Sequence, residues 1–233
     1  MTDLDRVEVE GVPMDICYAM PDGAGPHPAM VVMYHRGGFD DFTKKIADDL
    51  AAAGYAAVAP DLYHWPPVVE PPEENPFPRD PEIAKDIAAT LEWLGGKPEI
   101  DMERVGIIGH CMGGRMSLFG ASVNLAFKST VAYYSGNMWK PWSDDGPSPF
   151  DLMEGIQGPV AGFFGNDDKN PSPEDVDKID AELTRLGIEH DFHRYDGAGH
   201  AFQNFLAEER YRPEATADSW AKTIAFLDRT LKG

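Results

Sequence analysis

Apolar positions along this chain follow two rhythms. Val7-Glu8-Val9-Glu10 and Met14-Asp15-Ile16-Cys17-Tyr18-Ala19 alternate around Gly11, the pattern of an antiparallel hairpin at a sheet edge. Residues 29–34, 55–60, 105–108, 129–135 and 159–164 are instead nearly continuous apolar runs, as expected of strands covered on both faces. Between them, Ile46, Leu50 and Ala53 fall at helical spacing over 41–53, with Gly54 as a stop. The same reasoning predicts helices over 83–95, from just after Cys111 to about 123, over 174–186 and over 215–231, and a last strand over 189–195. Strand and helix alternate without internal repeats, which predicts an α/β fold: a mostly parallel central sheet, helices on both faces, an antiparallel N-terminal edge. Two long segments escape the pattern. Residues 64–81 and 136–150 carry Trp65, Phe77, Trp139 and Trp142, which either wall an apolar pocket above Cys111 or cover the sheet's edge.

Composition narrows the class. A chain of 233 residues with 42% hydrophobic side chains supports one buried core, so a single domain over 1–233 is expected. Forty acidic against 20 basic side chains give a net charge of -20, a surface that repels phosphate backbones and anionic lipid. Nucleic-acid and membrane partners are therefore not expected, and the charge reads as a solubilising face. The two cysteines, Cys17 and Cys111, are too few for a disulfide framework, and a reactive thiol is easiest to keep in the cytoplasm. No 18-residue apolar stretch exists and the N-terminus is acidic, so neither a membrane span nor a signal peptide is expected.

The most informative motif is Gly-His-Cys-Met-Gly-Gly at 109–114, which follows an apolar β-branched run and opens a helical segment. Strand, tight turn and helix with Cys111 at the apex make a nucleophile elbow, the turn used by α/β-hydrolases, with a thiol in the serine position. Gly109 and Gly113 suit a turn where side chains would strike the adjoining strand and helix. Two further groups end strands, in the order nucleophile, acid, histidine. Asp168 lies in Gly165-Asn166-Asp167-Asp168, and His200 in Gly197-Ala198-Gly199-His200-Ala201-Phe202. A thiolate attacks a carbonyl, an imidazole moves the proton, and a carboxylate fixes the imidazole's tautomer. Asp168, three residues after Gly165, is preferred over Asp167. The backbone N–H groups of Met112 and Arg36 are the expected oxyanion hole, and the helix start at Met112 favours a thiolate. His35, His64, His110 and His200 lack any metal-ligand spacing, so no metal is expected.

With these motifs and Gly-Tyr-Ala-Ala-Val-Ala-Pro-Asp-Leu-Tyr at 54–63, nearly the whole chain resembles the dienelactone hydrolase family, the cysteine branch of α/β-hydrolases. The resemblance implies an α/β-hydrolase fold and hydrolysis of a lactone or ester through a thioester, without metal or cofactor. It also exposes two departures. The family prototype ends the strand after the first loop with a glutamate that governs the thiol's resting proton; His35 stands there. The prototype places a carboxylate-binding arginine four residues after the histidine; Asn204 stands there, so an anionic lactone is not implied. His35 either bonds the thiolate or substrate, or braces its loop. Asn204 and Trp139 are further candidates for contact with substrate, and Arg36 or Arg79 could supply positive charge. The alternative function is a non-catalytic small-molecule-binding protein on a hydrolase scaffold. A redox-sensing thiol would lack a resolving cysteine, since Cys17 falls in an early strand.

Overall fold

The computed structural model describes residues 2–233. Eight strands form one sheet: β1 (Asp3–Val9), β2 (Val12–Ala19), β3 (His27–Met33), β4 (Ala56–Pro60), β5 (Ile100–His110), β6 (Phe127–Tyr133), β7 (Val160–Gly165) and β8 (His190–Tyr195). Five helices alternate with the later strands: α1 (Asp41–Ala52), α2 (Asp80–Gly95), α3 (Met112–Val123), α4 (Pro173–Leu186) and α5 (Pro213–Leu227). The strand order is β1-β2-β4-β3-β5-β6-β7-β8. Strands β3 to β8 run parallel, while β1 and β2 pair antiparallel at one edge.

The strands' two-residue side-chain period splits the core into two layers. Val31, Met33 and Ile107 face Ile83 and Ile87 of α2, Met116 and Leu118 of α3, and Ile179 and Leu183 of α4. Met30, Val32 and Ile108 face Phe42, Ile46 and Leu50 of α1 and Phe226 and Leu227 of α5. A strand buried on both sides must be apolar at every position, which is why the central runs are continuous and the edge hairpin alternates.

Helix ends follow local chemistry. The Asp40 carboxylate accepts from Thr43 N–H at the start of α1, and Ser172 with Asp175 forms a reciprocal cap on α4. Two boundaries differ from the sequence expectation. α2 begins at Asp80 and not at 83, because Asp80 is buried as the partner of Arg115, a contact no local pattern reveals. The C-terminal helix ends at Leu227 and continues as a π-helical turn over Asp228–Lys232.

The topology places the chemistry. From β3 the chain goes outward to β4 on one side, then returns past β3 to β5 on the other. The crevice at the carboxyl ends of β3 and β5 is thus a switch point, where open α/β sheets bind ligands.

Candidate active site

Cys111 sits at that crevice, between the end of β5 and the start of α3, with φ 58° and ψ -117°. Its N–H donates to the Tyr133 carbonyl at 3.0 Å, and its own carbonyl accepts from Gly114 at 3.0 Å. The turn is possible only with glycine on both sides. A Cβ at Gly109 would collide with the Gly113 carbonyl, and one at Gly113 with the Met33 carbonyl. The helix therefore starts pressed against β3 and β5, and the half-buried thiol stands at the apex.

His200, in the turn after β8, brings Nε2 to 2.9 Å from the Cys111 sulfur. Its Nδ1 lies 2.8 Å from Oδ2 of Asp168, which is buried at the end of the turn after β7. The other Asp168 oxygen accepts from Asn170 N–H at 2.9 Å, so both carboxylate oxygens are held. Asp167 is exposed, and its N–H donates to the Ala198 carbonyl. Burial works against a charged His200, but its hydrogen bonds to Asp168 and the Cys111 sulfur outweigh it and raise its pKa to about 10. Sulfur, imidazole and carboxylate thus form one continuous chain.

A cavity of about 180 Å³ opens over the sulfur, with His35, Arg36, Cys111, Tyr134, His200 and Asn204 in its wall and Arg210 beside them. His35 Nε2 meets Asp40 at 2.8 Å, and Gly37 N–H donates to Nδ1 at 3.4 Å. Both ring nitrogens are thereby used within the loop, although an edge of the ring faces the cavity. The pull of His35 outweighs burial at Asp40 and lowers its pKa. Met112, as the first residue of α3, has an N–H with no acceptor inside the helix. Arg36 lies across the crevice in the turn after β3; its side chain leaves the cavity to donate to the Glu73 and Asn75 carbonyls and lies 4.7 Å over Phe77. Asn204 caps the Leu206 N–H with its side-chain oxygen.

Several marked residues gather elsewhere. Trp139 packs on Phe150 and beneath Lys178, outside the cavity wall. Trp142 lies buried on Arg115, with Phe77 stacked on it at 4.5 Å. Trp65 donates to Asp86, which also holds the buried His64 at 3.0 Å. Arg79 reaches the exposed Asp144. His110 stacks on Tyr133 and pairs with Gln203 at 2.6 Å; burial depresses its pKa to about 3 against the pull of Gln203. Trp65 and Trp142 therefore pack on α2 and α3 and Trp139 against α4, and none of the four loop aromatics lines the cavity over the sulfur. Sequence reasoning passed over Tyr134 and Arg210. Tyr134 was legible in one respect: it directly follows β6, and strand ends are where such sheets react.

The chain is similar to known proteins along nearly its whole length. A profile of the dienelactone hydrolase family matches residues 14–231. A Synechocystis protein provisionally named carboxymethylenebutenolidase is 29% identical over 229 residues, covering 92% of this chain and 91% of its own. The carboxymethylenebutenolidase of Rhodococcus opacus is 26% identical over 223 residues, covering 94% and 87%. In fold, the chain is similar to a provisionally named dienelactone hydrolase from Klebsiella pneumoniae, with a TM-score of 0.86 at 24% identity over 97% of this chain and 98% of that one.

Proposed function

The chain belongs to the dienelactone hydrolase family of hydrolases, and on that premise we propose that it cleaves a carboxylic ester or lactone with Cys111 as nucleophile, in a single cytoplasmic domain. The reading is carried by one observation, the unbroken series Cys111 Sγ, His200 Nε2, His200 Nδ1, Asp168 Oδ2 with links of 2.9 and 2.8 Å.

The steps follow from the groups present. The Cys111 sulfur, its proton held by His200, attacks the carbonyl carbon, and the carbonyl electron pair moves onto oxygen. The donors assigned to that oxyanion are the N–H of Met112, at the start of α3, and the N–H of Arg36, in the turn after β3. Collapse reforms the carbonyl and expels the alkoxide or enolate, which takes the proton from His200 Nε2. A thioester remains on Cys111. Neutral His200 then draws a proton from water, hydroxide adds to the thioester, and the sulfur leaves as the acid is released. Asp168 keeps Nε2, and not Nδ1, turned toward the sulfur. Esters suit this site better than amides, because an oxygen leaving group departs more readily than an amine. The cavity's modest volume favours a small substrate.

The test is a panel of small esters and lactones, including 4-nitrophenyl acetate and dihydrocoumarin, with wild type, Cys111→Ala and Cys111→Ser in parallel. Wild type turns over at least one, Cys111→Ala none, and Cys111→Ser falls by about 100-fold or more, since a hydroxyl lacks the thiol's easy ionisation. Cys111→Ala with wild-type turnover overturns the reading, and Cys111→Ser with wild-type turnover overturns its thiol-specific part. Faster alkylation of Cys111 by iodoacetamide than of a free thiol near neutral pH separates an enzyme from a mere binder.

A further inference from the structure

Tyr134 follows β6 and adopts φ 38°, a left-handed conformation that costs a bulky residue energy. Only five non-glycine residues among those described have positive φ, and three of them, Cys111, Tyr134 and Ala201, line the one cavity over the sulfur. The other two, Glu10 and Asn137, lie outside that wall. Strain of this kind persists where the surroundings enforce it, and here it is concentrated around the reacting atoms.

The strained backbone delivers a phenol into a dry position. Tyr134 is 1% exposed, and among the described residues its hydroxyl oxygen has no hydrogen-bond partner. Buried hydroxyls almost always find a partner, so an unpartnered one in the wall of a catalytic cavity is a donor awaiting a ligand. Its ring meets the His200 ring edge-on at 5.2 Å and Phe202 at 5.4 Å, which places it on the histidine side of the sulfur. Burial, and then the charges of Cys111 and Asp168, push the phenol's pKa well up, so it remains a donor throughout the working range.

Two oxygens of an ester need stabilising during acylation. The carbonyl oxygen is served by the N–H groups of Met112 and Arg36. The departing oxygen must instead lie near His200 Nε2 to receive its proton. Resting on the hydrolase reading above, we propose that the Tyr134 hydroxyl donates a hydrogen bond to the departing oxygen, making Tyr134 a further catalytic residue. The phenol keeps its own proton; the proton that ends on the leaving group comes from His200. The bond matters in proportion to the charge on that oxygen.

Tyr134→Phe removes the hydroxyl alone. The reading is kcat/KM on 4-nitrophenyl, phenyl and trifluoroethyl acetate. These share one acetyl-enzyme, so differences among them report acylation. The expected result is a loss within about 3-fold for 4-nitrophenyl acetate, growing to about 10- to 100-fold for trifluoroethyl acetate, whose leaving oxygen is the most basic. The thermal midpoint of Tyr134→Phe stays level or rises, because no existing bond is lost, and alkylation of Cys111 by iodoacetamide keeps its wild-type rate. An equal loss on all three esters, no loss on any, or a midpoint lowered by several degrees overturns the proposal. If wild type and Cys111→Ala hydrolyse the three esters equally, or wild type hydrolyses none, the hydrolase reading itself fails and takes the proposal with it.

Discussion

Arg115 and Asp80 form a two-point ion pair inside the protein, with Nη1 to Oδ1 at 2.6 Å and Nη2 to Oδ2 at 3.1 Å. Trp142 lies over the guanidinium at 3.8 Å, and its backbone N–H donates to Asp80 at 2.7 Å. The same guanidinium donates to the Lys140 carbonyl at 2.7 Å. Arg115 sits four residues after Cys111, so this cluster ties the start of α3 to α2 and to the loop over 136–150.

Arg115→Ala leaves a buried carboxylate unpaired and is expected to cost about 3–5 kcal/mol. Arg115→Lys is expected to recover only part, because an ammonium cannot make both bonds and lie flat on the indole. Urea unfolding of the three proteins decides it; an unchanged midpoint for Arg115→Ala would show the pair to be dispensable.

Asp168→Asn is expected to lower kcat by about 10²- to 10⁴-fold, since an amide cannot accept reliably from Nδ1 and the imidazole loses its tautomer. Asp167→Asn, at an exposed neighbour, should stay within about 2-fold of wild type, a change too small to reflect a catalytic group. Esterase kinetics on both variants settle which carboxylate orients His200; the reverse ranking would assign the role to Asp167.

If His200 carries the reaction's proton, the pH profile is expected to have an alkaline limb set by it. Its pKa is raised in the folded protein to about 10, so its contribution to stability is complete below the ordinary histidine value and is lost as pH rises through about 10. The proton needed by the leaving group disappears over the same range. We expect kcat/KM to fall above about pH 10 and the thermal midpoint to decline between neutral pH and that point. Asp168→Asn should move the activity limb to lower pH. A wild-type limb near pH 7 would contradict the assignment.

His110 acts in the opposite direction. Held neutral by burial with a pKa of about 3, it contributes stability above the ordinary histidine value that is lost as pH falls toward 3. Over that window it steepens acid destabilisation by about 1.4 kcal/mol per pH unit. His110→Asn should flatten the dependence of urea midpoint on pH between 6 and 4, and an equally steep curve in the variant would exclude His110 as its source.

Much of this was legible in the chain. Continuous apolar runs marked the central strands because both sheet faces are covered. Gly109 and Gly113 marked the elbow because close backbone approach excludes a Cβ at each. What stayed hidden depended on partners distant in sequence. Asp80 reads as a loop carboxylate until Arg115 is seen beside it. Trp139 reads as a pocket wall, but its side chain turns to Phe150 and Lys178. Tyr134 reads as one more strand aromatic, because neither backbone strain nor a missing hydrogen bond leaves a trace in residue type. His35 was open between two roles, and the ring's bonds to Asp40 and Gly37 favour the bracing of its loop.

The order of strands and helices, the strained turn at Cys111 and the placement of Cys111, Asp168 and His200 after strand ends are properties of the sequence, since periodicity, glycine placement and side-chain chemistry are local. Which carboxylate meets His200, where the aromatic loops lie and which donors reach the cavity were decided only by folding. Those outcomes turn on angstrom-scale distances between segments tens of residues apart, and hydrogen bonds of 2.8 and 2.9 Å form only once the packed sheet fixes both ends.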